Sequence, residues 1–377
     1  MMKAVCKRSS LAEALGVITA GVPAQAPTPV ARDVLISVDH EGLRLESTDL
    51  TIFSEVKVLE IKEAVSGEAL TPIACIAGLV HELDKEFITI EREEGQFGLS
   101  ISSGNDEFKI IGHDPGDFPS SPETTQCAGF EVESAVLAEA IRLVAFAASK
   151  DPSRRQLMGV AFVAEGAKAY FVASDGKRLA EYVVATAERA DKRREGILPL
   201  AAVEAIAKLL PLDNGQVSIK IDPDLQQAVV SHERGRVLCR LIEGQMPDYV
   251  SLIPSEFATT VEGSARELLA AVRKAAVLTT RDNAFVRLEY GDGAFSVHVS
   301  SKETGSGVVP VDNVTVSGDP IVVNFAVQYL SDGLRVMGDT VVRLGLQKSD
   351  GAAVVHGGRA FRYAFMPVRP RGADDEV

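Results

Sequence analysis

Six histidines are the first candidates for chemistry, and they stand apart at His40, His81, His113, His232, His298 and His356. Paired imidazoles that hold a metal need a short helical spacing such as H-E-x-x-H, and no pair here has it. Cys6, Cys75, Cys127 and Cys239 form no C-x-x-C pair, so neither a zinc ribbon nor a dithiol redox centre is indicated. Reduced, mostly buried thiols are expected. A G-x-S-x-G elbow and a G-x-x-x-x-G-K-S/T phosphate loop are both missing. Gly291-Asp292-Gly293 starts like a dinucleotide fingerprint, but it lacks the third glycine and falls between two strand-like runs, as a hairpin turn does. Gly305-Ser306-Gly307 reads as a bulge or turn. The residues predict no catalysis, no metal and no cofactor.

Basic side chains offer a different chemistry, diffuse contact with phosphates. Arg142 and Arg273 each lie five residues beyond a leucine, Leu137 and Leu268, in amphipathic segments. Five steps turn a helix by about 140° from that leucine, onto the solvent face. Lys150, Arg154 and Arg155 follow the first of these segments, while Lys274 and Arg281 lie on or after the second. Lys85 and Lys208 are expected on other helices, with His81 and Arg335. Against them stands a net charge of −14, which excludes a protein that coats nucleic acid with its whole surface. Hydrophobic content of 46% and charged content of 24% exclude long disorder and low-complexity scaffolds.

What positions these side chains is a repeated pattern. SLAEALGVI (10–18), VLAEAIRLV (136–144) and ELLAAVRKA (267–275) align on Leu11, Leu137 and Leu268. Each has apolar residues at i, i+4 and i+7, one face of a helix: Leu11, Leu15, Ile18; Leu137, Ile141, Val144; Leu268, Val272, Ala275. A second helix is expected in each third, over 71–86, 199–211 and 324–339, with Pro72 and Pro199 in first turns. Hairpins are expected between the helices, over 35–50, 160–175 and 286–301. Asp49 and Asp175 hold equivalent places.

A repeat this long is a domain and not a solenoid unit of about 20–50 residues. The proline-rich connectors 113–126 and 246–257 break the periodicity. The expectation is an α+β protein of three similar domains, 1–122, 127–253 and 258–371, each with two helices packed on antiparallel sheet, and an acidic tail 372–377. Lys3, Lys7 and Arg8 before LAEALGVITAGVPAQA imitate a signal peptide. Glu13 and the helical spacing instead predict a domain helix, and no run reaches the ~18 apolar residues of a membrane span. A cytosolic protein is expected.

Four stretches then resemble the bacterial DNA polymerase III beta subunit family of sliding clamps: STDL (47–50), SDGKRLA (174–180), LIEGQMPDY (241–249) and RYAFMPVR (362–369). They fall in order through the three thirds, and the resemblance covers about residues 1–370. It implies a head-to-tail homodimer closed into a ring around duplex DNA, without sequence preference, in the cytoplasm at the nucleoid. Its task would be to tether the replicative polymerase. A clamp-loader ATPase and polymerases would dock through short peptide motifs. The pocket residues carried over are Arg154, Leu157, Ser174, Gly176, Lys177, Arg178, Leu179, Pro247, Leu252, Tyr329, Met366, Pro367, Val368 and Arg369. Ser251 and Ala326 depart from the pattern, where many relatives carry a basic residue and an asparagine. Arg32 is the basic residue of the loop QAPTPVARD and joins Lys85, Arg142, Lys150, Arg154, Arg155, Lys208, Arg273, Lys274 and Arg281 as DNA-facing. Ring closure would use Phe108 and Ile110 on an edge strand against Val277 and Leu278 on a helix. The tail's Asp374, Asp375 and Glu376 would compete weakly for the pocket's basic rim. The alternatives are a divergent clamp paralogue serving repair polymerases, a sequence-specific DNA-binding regulator, for which no helix-turn-helix spacing is present, and an unrecognised enzyme.

Overall fold

The computed structural model describes residues 1–20, 29–122, 129–211, 215–247, 249, 253–347, 351–358 and 360–369. Leu252 and the acidic tail lie outside them. Six helices occur among the described residues: α1 (Arg8–Ala20), α2 (Ile73–Glu82), α3 (Ser134–Val144), α4 (Leu200–Leu209), α5 (Ala265–Ala276) and α6 (Val327–Met337). None is long and apolar enough to cross a membrane. The three periodic stretches form α1, α3 and α5, and their i, i+4, i+7 residues are all buried. Pro72 and Pro199 sit one step earlier than expected, as the residues preceding the first turns of α2 and α4. There the missing N–H costs nothing, because the first amides of a helix have no internal partner. Helix α2 ends at Glu82, where Leu83 turns extended, so Lys85 follows the helix and does not lie on it.

The chain divides into two compact units. One holds Met1–Ile141, Phe162–Lys168 and Ala185–Glu243; the other holds Arg142–Ala161, Ala169–Val184 and Gly244–Val377. In the first unit a five-stranded sheet runs in the order Ile61–Val65, Met2–Lys7, Phe87–Arg92, Leu99–Ser103, Asp106–Ile110. An eight-stranded sheet joins residues from the first and middle thirds, because Gly235–Arg240 pairs antiparallel with Ile52–Val58. In the second unit the equivalent join is between Arg178–Tyr182 and Phe361–Phe365. The middle third is shared between the units because its strands extend the sheets of both neighbours.

Hairpins form as expected at Asp33–Asp39 with Gly42–Thr48 and at Phe285–Gly291 with Ala294–Ser301. Asp292 and Gly293 both have positive φ, 49° and 79°, the backbone of a two-residue hairpin turn. The expected hairpin at 160–175 turns at Gly166, φ 58°, within the run Gly159–Ser174, whose two ends both belong to the second unit while residues 162–168 belong to the first. Glu165 is paired there to Arg193 at 3.2 Å. Gly305 and its neighbours open an edge strand, Gly305–Pro310, and form no free turn. Burial pushes the thiols of Cys6 and Cys239 up to about 12, so both are protonated and inert at neutral pH, whereas Cys75 is exposed.

Candidate functional site

The site begins with a tight turn in the second unit. Strand Gly159–Ser174 ends at Ser174, whose hydroxyl donates to the Arg178 carbonyl at 2.7 Å and accepts from the Gly176 amide at 3.0 Å. Asp175 Oδ1 accepts from the amides of Lys177 and Arg178 at 2.9 and 3.0 Å. The Ser-Asp-Gly order is what such a turn needs: two short side chains that bond back to the main chain, then a residue free to take φ 86°. A Cβ on Gly176 would meet the Arg154 guanidinium, which would have to shift to admit it.

Arg178 fastens this turn to its surroundings. The side chain is only 8% exposed, and its guanidinium donates to Asp175 Oδ2 at 3.0 Å, Asp332 Oδ2 at 2.8 Å and the Phe146 carbonyl at 3.0 Å. Burying a charge costs several kcal/mol unless it is paired and hydrogen-bonded, and here two carboxylates and a carbonyl supply the compensation. The Tyr329 ring packs against the guanidinium at 5.2 Å. Behind it the Tyr363 hydroxyl donates to the Tyr329 carbonyl at 3.0 Å, and burial pushes the Tyr363 phenol far above its usual range.

On this frame rests an open, largely apolar cavity of about 270 Å³. It collects eight of the predicted residues: Leu157, Ser174, Gly176, Lys177, Arg178, Leu179, Pro247 and Met366. Arg154 stands at the rim, donating to the Asp175 carbonyl at 2.9 Å. Tyr329 lies beneath, against Arg178, and does not line the cavity. Pro367, Val368 and Arg369 continue past it, with the Val368 amide donating to the Asn324 carbonyl at 2.8 Å. Met246, Tyr249, Ile253, Ala352, Ala364 and Phe365 complete the lining and were not expected. Four of these lie inside the quoted motifs (Met246, Tyr249, Ala364, Phe365), where a lining role had a signal. Ala352 had none, since only sheet pairing brings it there. The Ser174 hydroxyl and the Asp175 carboxylate are both committed to holding the turn. A pocket with an apolar floor and a basic rim at Lys177 and Arg154 suits an extended peptide with leucine-like anchors.

The DNA-facing candidates are solvent-exposed on both units. Arg32, Lys85 and Lys208 are exposed on the first, and Arg142, Lys150, Arg154, Arg155, Arg273, Lys274 and Arg281 on the second. Arg142 is anchored by donating to the Val336 carbonyl. Lys85 lies 3.8 Å from Asp84. The interface candidates also separate by exposure. Asp106–Ile110 is an edge strand with Phe108 half-exposed, but Ile110 is buried within its own sheet and its neighbour Ile111 is 84% exposed. Val277 is 79% exposed and, with Leu278, occupies the turn that closes α5, one step beyond the helix on which both were expected.

Comparison with known proteins gives three consecutive matches to models of the DNA polymerase III beta subunit: its N-terminal domain over residues 2–122, its central domain over 131–248 and its C-terminal domain over 250–369. The beta sliding clamp of Chlamydia pneumoniae is 27% identical over 368 residues, 98% of this chain and 99% of that one. The sliding clamp of Pseudomonas aeruginosa bound to griselimycin superposes with a TM-score of 0.88 at 25% identity, covering 98% of this chain and 99% of that chain. The Bacillus subtilis sliding clamp has the same fold, with a TM-score of 0.86 at 22% identity and coverage of 98% and 99%.

Proposed function

Since the chain belongs to the DNA polymerase III beta subunit family, we propose that it is a DNA sliding clamp, a homodimeric ring of two three-domain chains that encircles duplex DNA in the cytoplasm and tethers the replicative polymerase. The three end-to-end domain matches carry this reading. Tethering needs no chemistry. A polymerase held beside the primer end returns to it at a high effective concentration, without a new bimolecular encounter. The negative charge of −14 suits the task, because a ring is retained by topology and gains nothing from gripping DNA. The cavity in the second unit receives peptide motifs of the polymerase and of a clamp-loader ATPase.

Head-to-tail closure would bring the edge strand Asp106–Ile110 of one copy to the third-domain edge strand Gly305–Pro310 of the other, as exposed edges invite. Phe108, Ile111, Val277 and Val308 are among the exposed apolar side chains available to it. Replacing Val277 and Leu278 by alanine removes buried methyl groups at two interfaces, at up to about 2–5 kcal/mol for a leucine. Sedimentation velocity is then expected to show monomer at low micromolar concentration, and an unchanged dimer would refute the interface. The decisive test is retention on DNA at high salt. The protein, once loaded, stays on closed circles and is lost after linearisation. Equal loss from both forms would exclude a topological ring.

A further inference from the structure

The STDL motif has no part in the cavity described above, yet the first unit repeats that cavity's frame around it. The Thr48 hydroxyl donates to the Ile52 carbonyl at 2.8 Å and accepts from the Leu50 amide at 3.0 Å. Asp49 Oδ1 accepts from the amides of Thr51 and Ile52 at 2.8 and 2.6 Å. These are the bonds made by Ser174 and Asp175, one for one. The strand join matches as well. The Arg240 amide donates to the Thr51 carbonyl at 2.8 Å, as the Met366 amide donates to that of Lys177 at 2.9 Å. Beside this second turn lies a cavity of about 230 Å³.

Its side chains are different and make a site of their own. Where the other turn has Gly176, this one has Leu50, held at φ 73° with its side chain 58% exposed. A leucine in the left-handed region costs roughly 1–2 kcal/mol, which a glycine would avoid. Phe53 and Leu238 form a buried apolar floor, and Leu225 stands exposed at the rim. Gln227 lines the cleft, and its buried Oε1 has no hydrogen-bond partner among the described residues. Arg240 is exposed at the mouth, and its guanidinium has no ion pair among the described residues. In a chain of net charge −14, an arginine left unpaired beside an apolar floor complements a carboxylate.

The geometry points to a second docking cleft, for an extended acidic peptide whose apolar side chain packs on Leu50, Phe53 and Leu238. A backbone N–H of that peptide donates to Gln227, and its carboxylate pairs with Arg240. The inference rests on the peptide reading of the cavity in the second unit, from which the shared frame takes its meaning.

The test uses the full chain with labelled leucine methyl groups, titrated with acetyl-Ser-Leu-Asp-Leu-Ser-amide and with the same peptide carrying lysine for aspartate. Saturable shifts are expected at Leu50 and Leu225 with the acidic peptide. Arg240→Ala is expected to weaken binding at least threefold at low salt, Gln227→Leu by a similar factor, and the lysine peptide to bind at least fivefold less well. Leu157→Ala with Met366→Ala is expected to leave these shifts unchanged. Shifts confined to Leu157 and Leu179 overturn the second cleft and leave the first intact. Shifts confined to Leu50 and Leu225 support the second cleft and its preference for this acidic peptide over the first. No response at either removes both. Shifts at Leu50 indifferent to Arg240→Ala and to the lysine peptide overturn the acidic specificity, as does a response to short duplex DNA alone.

Discussion

The turns at 48–52 and 174–178 share their hydrogen bonds and differ in almost every side chain that faces outward. Their outer framework is shared too. Arg236 forks onto Glu55 with both bonds on Oε2, at 3.1 and 2.9 Å, and Arg362 forks onto Glu181 at 2.6 and 2.9 Å. Each pair sits directly across two neighbouring strands. The interior of the turn is where they part. At the position of Arg178, tied to Asp332, the first unit has Ile52; at that of Met366 it has Arg240. In the second unit charge is buried in the frame and the lining is greasy; in the first the frame is apolar and the charge stands at the mouth. A repeated backbone thus carries two different sets of side chains, because the turn's own bonds involve only short side chains and main chain. The positions that point away are free to vary.

The largest effect expected concerns the shared ion pairs. Glu181 is buried, so Glu181→Ala strands Arg362 and is expected to cost about 3 kcal/mol of unfolding free energy in urea titration. Glu55 is less buried, and Glu55→Ala should cost only about 1 kcal/mol. Equal losses would mean that the two frames are not distinguished by burial. Exchanging the turn residues sharpens the contrast next. Gly176→Leu places a side chain against Arg154 and in the mouth of the apolar cavity, so affinity for a polymerase-derived peptide should fall more than tenfold by calorimetry, with the fold intact by circular dichroism. Leu157→Ala with Met366→Ala removes lining without blocking it, and about tenfold weaker binding is expected, since a buried apolar side chain contributes roughly 1.5–3 kcal/mol.

The smallest effect is on pH dependence. His356 lies across from Arg343 and Arg362, and the equivalent position in the first unit is Ser231, across from Arg236. Burial, then the two arginines, hold the imidazole below its ordinary range. The unfolded chain therefore binds the proton more readily, and stability is lost as pH falls through about 6.5 and below. His356→Ser is expected to flatten this slope between about pH 7.5 and about pH 5.5. The difference should stay under ~0.5 kcal/mol, because the ring is only half-buried and screened. A variant as pH-sensitive as the parent would place the titration elsewhere.

Much of the fold could be read before any coordinates. Leu11, Leu137 and Leu268 mark three helices because burial on one face imposes a 3.6-residue period on any sequence that folds this way. The motif SDGKRLA entered only through the family resemblance, although its serine, aspartate and glycine are residues that can bond back to the main chain and take positive φ. Other features were not legible. The end of α2 at Glu82 turns on Leu83 adopting an extended backbone, which no residue type there demands. Ile110 and Ile111 are adjacent and chemically identical, and only the strand's register decides that one is buried and the other exposed.

By itself the sequence determined the repeat and the helical faces, because each is encoded by neighbours a few positions apart, whereas the cavity residues were named only through the family resemblance. Tertiary structure alone decided that Ala352 joins that cavity, that Arg178 is neutralised by Asp332, and that Gln227 and Arg240 meet the STDL turn. Those meetings span 150 residues or more and depend on which strands pair. Strand pairing is settled by burial of whole faces and carries no mark in the local sequence.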